Sequence, residues 1–324
     1  EYRNNLYSLW TNYCVSESYE PGSTFKPVTV ASALEEGVVK DGDTDVCKGF
    51  ETVADYKLKC HVFSTIGSHG SLTVEQALMN SCNPYMIHLA LEMGNSRFAY
   101  YQSLFGFGKI TGIDLPGETT GIVYGDRMTT IDAACNSFGQ TINVNMMQMM
   151  AAYCSIINGG MLYQPHIVKR IESANGEVVK EYKANLVRQT ITASTSKLLR
   201  RYLKNTVEEG TAKKAGVTGY SVAGKTGTAQ KGDRKDNKWI ISFIGHAPAE
   251  NPKFAIYVVI DEPYGTTGTS GSSADVLTLT HNILEKLLPY MNVYKDASDE
   301  YEDTSSSPDE LTVDGIPAGT ASSN

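Results

Sequence analysis

Three strand-like segments near the C-terminal end, at residues 220–230, 239–247 and 254–261, restrict the fold more than any other feature of the sequence. The second and third segments are rich in β-branched and aromatic residues. Short polar connections join the three, which favours antiparallel pairing between neighbours. Because helices and loops are predicted for most of the chain before residue 220, the sequence indicates an α+β fold in which two regions meet at a cleft.

Helices are predicted wherever apolar residues recur at helical spacing between capping and stop signals. The predicted helices cover residues 27–36, 73–80, 83–93, 146–157, 192–209 and 273–288. Ser194 is assigned as the N-cap of the helix at 192–209. A hairpin is predicted around Asn175-Gly176. Residues 41–71 are expected to form surface loops with short strands, and residues 106–121 a glycine-rich loop.

Composition and charge argue against two classes of protein. The 324 residues are 41% hydrophobic, which is enough for a sizeable core, and the formal net charge is -8. Basic runs with interleaved aromatic residues are missing, so nucleic-acid binding has no support. The longest apolar stretches are short and contain polar residues, so none of them is expected to span a bilayer.

The two ends of the chain lead to expectations about its organisation. Residue 1 is Glu and no basic-then-apolar leader follows it, so the chain is expected to be a piece of a longer protein with any membrane anchor upstream. From residue 295 the sequence is acidic and rich in serine. We therefore divide the chain into a domain at 1–290 and a disordered tail or linker at 291–324.

The six cysteines show no recognisable metal motif in the sequence. They are Cys14, Cys47, Cys60, Cys82, Cys135 and Cys154. No CxxC pair occurs and the histidines do not cluster with the cysteines, so no zinc site, other metal or cofactor is predicted. Cys47 and Cys60 flank a short polar stretch, and two alternatives stay open for them. One is a disulfide in an oxidising compartment, and the other is free, mostly buried thiols.

Ser23 and Lys26, in the segment EPGSTFKP, lie one helical turn apart and can face the same cleft. A serine hydroxyl is a weak nucleophile until a base takes its proton, and a neutral lysine can be that base. Lysine is neutral near physiological pH only if burial or a second cation lowers its pKa from about 10.4. The alternative is that Ser23 merely caps a helix, since Ser-x-x-Lys also occurs at residues 194–197.

Ser81 and Asn83 form a second motif, on either side of Cys82 in a predicted turn between two helices. A hydroxyl and an amide two residues apart in a tight turn can both point into one site. The same Ser-x-Asn spelling recurs at 173–175 and 322–324, so it is weak evidence by itself. The alternative is that Asn83 caps the helix beginning at Pro84.

Lys225, Thr226, Gly227 and Thr228 form a third motif within a predicted strand. Glycine weakens a strand and often marks the close approach of another backbone or a ligand. The lysine and the two threonines offer a cation and hydroxyl donors to a carboxylate. The alternative is an edge strand with a solvated lysine.

The order of the three motifs, Ser-x-x-Lys, Ser-x-Asn and Lys-Thr-Gly, is typical of penicillin-binding proteins and class A β-lactamases. The chain resembles the transpeptidase domain of class B penicillin-binding proteins over residues 6–262, in the blocks YEPGSTFKP, HGSLTVEQALMNSCN, FGFGKITGIDLPGE and VEEGTAKKAGVTGYSVAGKTGTAQ. The spelling YEPGSTFK is closer to the septal-division and sporulation branch. The resemblance implies a β-lactamase/transpeptidase-like α+β fold, with an antiparallel sheet flanked by helices and a helical subdomain.

The resemblance also implies a serine-type D,D-transpeptidase without a cofactor. Ser23 would attack the D-Ala-D-Ala bond of a peptidoglycan stem peptide and become acylated, as it would with β-lactam antibiotics. Lys26 would accept the serine proton. Ser81 would relay a proton to the leaving group, and Asn83 would hold Lys26 and the substrate amide.

The same resemblance assigns substrate binding to the predicted strand. Lys225 would supply a positive potential that helps to keep the general base neutral. Thr226 and Thr228 would bind the terminal carboxylate, with Gly227 between them. The N–H groups of Ser23 and Thr228 would form the oxyanion hole. A glycosyltransferase of the division or sporulation machinery is the implied partner, at the outer face of the bacterial cell membrane.

Departures from the family leave alternatives open. A helix and two strands that complete a five-stranded sheet in that family would precede residue 1. A serine β-lactamase needs a base that activates the water molecule for hydrolysis of the acyl-enzyme. Glu118 lies in a loop of suitable position for such a base, but it lacks the usual Glu-x-x-x-Asn spacing. A D,D-carboxypeptidase is a further enzymatic alternative. A non-catalytic β-lactam sensor or a division scaffold is the alternative of another class.

Overall fold

The structure, a computed structural model, describes residues 10–232, 238–263 and 272–297. Most of the predicted tail at 291–324 therefore lies outside the described residues. Within the described ranges, no helix is both long enough and apolar enough to cross a membrane.

A 3₁₀ turn at Gly22–Phe25 leads directly into the first long helix. The elements of this part are α1 (Tyr13–Ser16), α2 (Lys26–Glu36), β1 (Thr44–Cys47), β2 (Phe50–Val53), β3 (Tyr56–Lys59), β4 (Gly70–Thr73), α3 (Val74–Met79) and α4 (Asn83–Met93). The short strands predicted within residues 41–71 are confirmed: β1 pairs with β4 and β2 with β3, all antiparallel. Thr73 and Gln76 form the predicted capping box of α3, because each side chain accepts the other residue's backbone N–H.

The middle of the chain is mainly helical, as predicted. It contains α5 (Asn95–Leu104), α6 (Thr130–Asn136), α7 (Met146–Ile157), β5 (Met161–Gln164), β6 (Arg170–Glu172), β7 (Val178–Glu181), β8 (Asn185–Gln189) and α8 (Ala193–Glu208). Strands β6 and β7 form the predicted hairpin. The assignment of Ser194 as a cap is wrong: Thr192 has the extended backbone of an N-cap, and its hydroxyl accepts the N–H of Thr195. Ser194 already lies inside the helix.

The predicted antiparallel strands are confirmed as β9 (Ala223–Lys231), β10 (Lys238–Ala247) and β11 (Phe254–Asp261), followed by α9 (Ser273–Tyr290). The described sheet has the order β11-β10-β9, which places β9 at an edge. The register sets Lys225 opposite Ile244 and Gly227 opposite Ser242. Helix α9 covers this sheet through apolar residues that include Val276 and Leu284.

Helix α2 is the central element of the main hydrophobic core. Val28, Val30, Ala31 and Ala33 are all at most 2% exposed, although they point in different directions around the helix. A helix that is apolar on all sides is buried on all sides, and α2 packs against α4, α7 and α8. The core therefore fixes the position of the N-terminus of α2, which is where Ser23 and Lys26 lie.

Shortening a core leucine should separate buried from exposed sites in the long helices. Leu203 in α8 is 0% exposed and Leu279 in α9 is 42% exposed. Leu203→Ala should lower the free energy of unfolding by about 2–5 kcal/mol because it leaves a cavity, whereas Leu279→Ala should change it by less than about 0.5 kcal/mol. Denaturant unfolding followed by circular dichroism measures both. Equal losses for the two variants would contradict the placement of α8 in the core.

Candidate active site

Ser23 lies in the 3₁₀ turn that precedes α2, and its side chain caps neither element. Pro21 is the N-cap of the turn and Phe25 that of α2, and no side-chain capping bond is made at either position. The capping alternative for Ser23 is therefore wrong. Its side chain is half-buried, and its hydroxyl forms no hydrogen bond with the residues that the structure describes. The hydroxyl is thus not engaged in holding the fold of these residues.

Lys26 joins the first motif to the second. Its side chain is 0% exposed. Its Nζ donates to the backbone oxygen of Ser81, to Ser81 Oγ at 2.9 Å and to Asn83 Oδ1 at 2.7 Å. Because its Oδ1 is bound to Lys26, Asn83 does not cap α4, which has Cys82 as its N-cap and no side-chain capping bond. The capping alternative for Asn83 is also wrong.

The turn that carries Ser81 is strained. Ser81 has a φ of 54° and is 8% exposed, and a left-handed backbone is uncommon for a residue with a Cβ. The turn is held by N–H bonds from Ser81 to Leu78 O at 3.1 Å and from Cys82 to Ala77 O at 2.9 Å. Such strain of about 1–3 kcal/mol persists where the surroundings impose it, often at functional sites. Here it presents both oxygens of Ser81 to Lys26.

Lys225 is buried beside the same pair of motifs. It is 0% exposed, so the alternative of a solvated lysine is wrong. Its Nζ donates only weakly, to Thr226 O at 3.2 Å and Thr226 Oγ1 at 3.4 Å. Thr226 and Thr228 lie two positions apart and hence on one face of β9. Thr228 is exposed, and Thr226 is 7% exposed.

The two buried lysines titrate far from their ordinary range. Burial lowers the pKa of Lys26 to about 8, while negative charge on the nearby sulfur atoms of Cys82 and Cys60 acts in the opposite direction. Burial, and then the charge of Lys26, lower the pKa of Lys225 well below its ordinary value. The difference follows from the neighbouring charges, because the charge of Lys26 lowers the pKa of Lys225 further, whereas the sulfurs of Cys82 and Cys60 raise that of Lys26. The pair therefore resists holding two positive charges at once.

Glycines bring the edge strand β9 against the turn of Ser23 without intervening side chains. The N–H of Gly22 donates to Gly139 O at 2.9 Å. A Cβ on Gly22, which has a φ of +56°, would lie 2.6 Å from Thr228 O, and a Cβ on Gly139 would lie 2.0 Å from Gly22 O. Three backbones are thus in direct contact beside Ser23. Sequence reasoning did not select Gly22 or Gly139, although Gly22 falls in the block YEPGSTFKP, which carries the family resemblance.

Gly227 makes the close approach that was predicted for it. A Cβ there would lie 2.5 Å from Ser242 Oγ, 2.8 Å from Thr24 Cγ2 and 2.9 Å from Pro21 O. The Thr24 hydroxyl donates to Pro21 O at 2.7 Å and lies 3.3 Å from the hydroxyl of Tyr257. These contacts help to hold the turn of Ser23 in place. Thr24 and Tyr257 were not among the predicted site residues, because they touch the reaction centre only through the backbone.

Glu118 is not arranged as a base. Its carboxylate accepts the N–H of Thr111 at 2.7 Å, the hydroxyl of Thr111 at 2.6 Å and the N–H of Gly112 at 3.1 Å. A carboxylate that closes its own loop with three hydrogen bonds braces the backbone of that loop. Glu118 therefore stabilises its loop.

The cysteines differ from expectation in one respect. All six are free thiols, so the disulfide alternative for Cys47 and Cys60 is not realised. The expectation that histidines do not cluster with cysteines is wrong for His69, whose ring lies with Cys47, Cys60 and Cys82. Folding brings together residues that the linear spacing separates.

Known proteins share both the sequence and the fold. The family model for the penicillin binding protein transpeptidase domain matches residues 1–285. Stage V sporulation protein D of Bacillus subtilis is 41% identical over 288 residues, which cover 87% of this chain and 44% of that protein. Peptidoglycan D,D-transpeptidase FtsI of Escherichia coli (strain K12) is 32% identical over 292 residues, which cover 88% of this chain and 46% of that protein. The chain thus spans less than half the length of these relatives.

Solved structures confirm the α+β architecture. Penicillin-binding protein 3 of Mycobacterium tuberculosis, in complex with aztreonam, matches with a TM-score of 0.78 at 29% identity, over 89% of this chain and 66% of that one. The transpeptidase domain of penicillin-binding protein 3 from Burkholderia pseudomallei matches with a TM-score of 0.77 over 89% of this chain and 84% of that one. At 24% identity, the second likeness concerns the fold alone.

A methyl group on Gly22 should disable the site without unfolding it. Gly22→Ala would push the turn of Ser23 away from the backbone of Thr228, and we expect covalent labelling of Ser23 by a fluorescent penicillin to slow by about tenfold or more. Gly42→Ala is the matched control, because Gly42 also has a positive φ (+88°) but has open space around its Cβ position. Equal labelling rates for the two variants would show that the close approach is dispensable.

Proposed function

The chain belongs to the penicillin-binding protein transpeptidase family, and we propose that it is a peptidoglycan D,D-transpeptidase acting through an acyl-enzyme on Ser23. The observation that carries the proposal is the contact of buried Lys26 with both Ser81 and Asn83. This contact unites two motifs at one point, one helical turn from Ser23. Residues 1–290 would form the transpeptidase domain.

Acylation would begin with the hydroxyl of Ser23. Its oxygen attacks the carbonyl carbon of the D-Ala-D-Ala peptide bond while its proton passes to neutral Lys26. The carbon–nitrogen bond then breaks, and the departing D-alanine nitrogen receives a proton from Lys26 through the Ser81 hydroxyl. The short contact between Lys26 and Ser81 supports this relay, because it needs no rearrangement of the two side chains. Asn83 holds the amine of Lys26 in place throughout.

The oxyanion would be stabilised where the turn of Ser23 meets β9. The N–H groups of Ser23 and Thr228 are the proposed donors, and the contact between Gly22 and the backbone of Thr228 supports this pairing. Preorganised donors of this kind contribute about 3–4 kcal/mol each to transition-state stabilisation.

The terminal carboxylate of the substrate would have two effects on the site. The hydroxyls of Thr226 and Thr228 bind it, and its negative charge raises the pKa of Lys225, which then takes up a proton. The new cation next to Lys26 lowers the pKa of Lys26 further. Substrate binding thus helps to create the neutral base.

The acyl-enzyme would then react with an amine from a neighbouring stem peptide, which regenerates Ser23 and forms the cross-link. Hydrolysis is the competing reaction of β-lactamases and D,D-carboxypeptidases. Because the carboxylate of Glu118 is held by Thr111 and Gly112, it is poorly placed to activate water, and a β-lactam adduct should persist. This arrangement favours the transpeptidase over the β-lactamase.

The proposed reaction implies a localisation and a partner for the protein. Peptidoglycan lies outside the cytoplasmic membrane, so we propose that the domain acts at the outer face of the membrane, held by an anchor outside the given sequence. Cross-linking uses glycan strands, so a glycosyltransferase of the division or sporulation machinery is the proposed partner. One similar relative is named for sporulation, while the other is named for the D,D-transpeptidase reaction.

Intact-mass spectrometry after incubation with benzylpenicillin tests the proposal. We expect one adduct with the full mass of the antibiotic, on Ser23, that is lost only slowly. Ser23→Ala should form none. Ser194→Ala is the matched control, because Ser194 and Lys197 repeat the Ser-x-x-Lys spelling inside a helix, and it should label like the parent chain. A folded protein without an adduct would favour a scaffold, and rapid loss of the adduct would favour a β-lactamase.

A stem pentapeptide with an added acceptor amine separates the remaining functions. A transpeptidase releases D-alanine and forms the cross-linked product, and a carboxypeptidase releases D-alanine alone. A sensor forms the β-lactam adduct but turns over neither peptide. The products are resolved by liquid chromatography and mass spectrometry.

The rate of acylation should increase with pH. Burial lowers the pKa of Lys26 to about 8, and only its neutral form can accept the proton of Ser23. Below that pKa the neutral fraction grows about tenfold per pH unit, and above it the fraction saturates. The rate constant for acylation by benzylpenicillin, measured between about pH 6 and about pH 10, should therefore rise and then level off. A rate that is flat or falls over this range, in protein whose circular dichroism is unchanged, would contradict Lys26 as the base.

A further inference from the structure

Four side chains from separate segments converge beside the active site. The sulfur atoms of Cys47, Cys60 and Cys82 and a ring nitrogen of His69 all lie within 4.8 Å of one another. The three cysteines are buried and His69 is half-buried. Cys47 ends β1, Cys60 follows β3, His69 precedes β4, and Cys82 lies in the turn before α4. The proposed reaction uses none of these four side chains.

The distances suit a tetrahedral metal ion. Zinc binds thiolate sulfur at about 2.3 Å and imidazole nitrogen at about 2.0–2.1 Å, so the edges of the tetrahedron measure about 3.8 Å between two sulfurs and about 3.5 Å between sulfur and nitrogen. Cys60 Sγ lies 3.5 Å from His69 Nδ1, and the longest separation in the cluster is within 4.8 Å. Small side-chain adjustments would therefore bring all four atoms onto one ion.

We propose that Cys47, Cys60, His69 and Cys82 bind one structural zinc ion. Three thiolates and one imidazole make up a closed four-ligand set of the kind found in structural zinc sites, with no position left for water. Sulfur ligands in a tetrahedral arrangement favour zinc over the hard cations magnesium and calcium. On binding, the three thiols lose their protons to solvent and neutral His69 coordinates through Nδ1.

The surroundings of the sulfurs support thiolate ligands. Backbone N–H groups of Val62 and Asn83 point at the sulfur of Cys60, and that of Tyr85 points at the sulfur of Cys82. Such second-shell donors orient metal-bound thiolates and stabilise their charge.

His61 is near the cluster but outside the ligand set. Its Nδ1 lies 3.9 Å from Cys60 Sγ, and its ring centre lies 5.3 Å from that of His69. The four mutually close ligand atoms include His69 and not His61. The two histidines therefore form a natural pair of test and control.

The ion would fasten a poorly packed region to the catalytic turn. The segment from β1 to β4 consists of two two-stranded sheets, and such small sheets need additional support to be stable. Cys82 lies between Ser81 and Asn83, and Asn83 Nδ2 donates to Lys59 O at 3.1 Å, next to Cys60. Zinc would thus hold the strained turn of Ser81 through Cys82.

Metal analysis of the purified chain tests the inference without using activity. We expect about one zinc ion per chain by plasma mass spectrometry after growth with zinc and desalting. Cys60→Ser and His69→Ala should lose most of this zinc in the presence of a chelator. Cys135→Ser, which removes a buried cysteine outside the cluster, and His61→Ala should retain it.

Cobalt provides a measurement that needs no variant. Exchange of the native chain with Co²⁺ under reducing conditions should give the intense visible absorption of tetrahedral cobalt bound to thiolates. Reduced native protein that binds neither zinc nor cobalt would overturn the proposal. So would a disulfide between any two of the three cluster cysteines in protein purified under air with zinc present. Because both readouts are independent of penicillin labelling, they stand or fall separately from the proposed function.

Discussion

The contact of buried Lys26 with Ser81 and Asn83 is the interaction on which the rest of the site depends. Burying a charged amine costs free energy unless acceptors replace its hydration, and here a backbone oxygen, a hydroxyl and an amide do so. The contact requires a fully buried helix α2 on one side and a left-handed turn on the other. The same burial gives Lys26 the lowered pKa that a base requires, so packing and reactivity have one origin.

Backbone contacts fix the position of the Ser23 turn relative to strand β9. The turn of Ser23, the segment of Gly139 and strand β9 approach one another very closely. No Cβ atom would fit at Gly22, Gly139 or Gly227. Side chains in this position would separate the turn from β9 by several ångströms, whereas backbone N–H groups in rigid elements keep their direction. Glycine costs conformational entropy on folding, and the burial of α2 and α8 offsets that cost. The site is rigid because its parts touch directly.

The sequence predicted this architecture unevenly, for physical reasons. Local signals located α2, α3 and α4 well, because Gly37 and Gly94, which end α2 and α4, and the Thr73–Gln76 box, which begins α3, are cap signals that act within one turn. The catalytic motifs were identified by their order along the chain. The cap of α8 was misplaced because Ser194 and Thr192 both suit a cap and only the backbone conformation separates them. The contact between Gly22 and Thr228, and the cluster around His69, join residues far apart in sequence, where spacing holds no information.

The register of β9 has a consequence for how such a chain can vary. Successive residues in a strand face opposite sides, so one residue inserted or deleted within Ala223–Lys231 would exchange the faces of all residues beyond it. A deletion just before Lys225, for example, would turn Lys225 out of the interior and put Thr226 in its position near Lys26. The connection between β10 and β11, at residues 248–253, carries no such requirement. Drift in length among descendants of this protein would therefore accumulate between the strands, while β9 itself changes only by substitution.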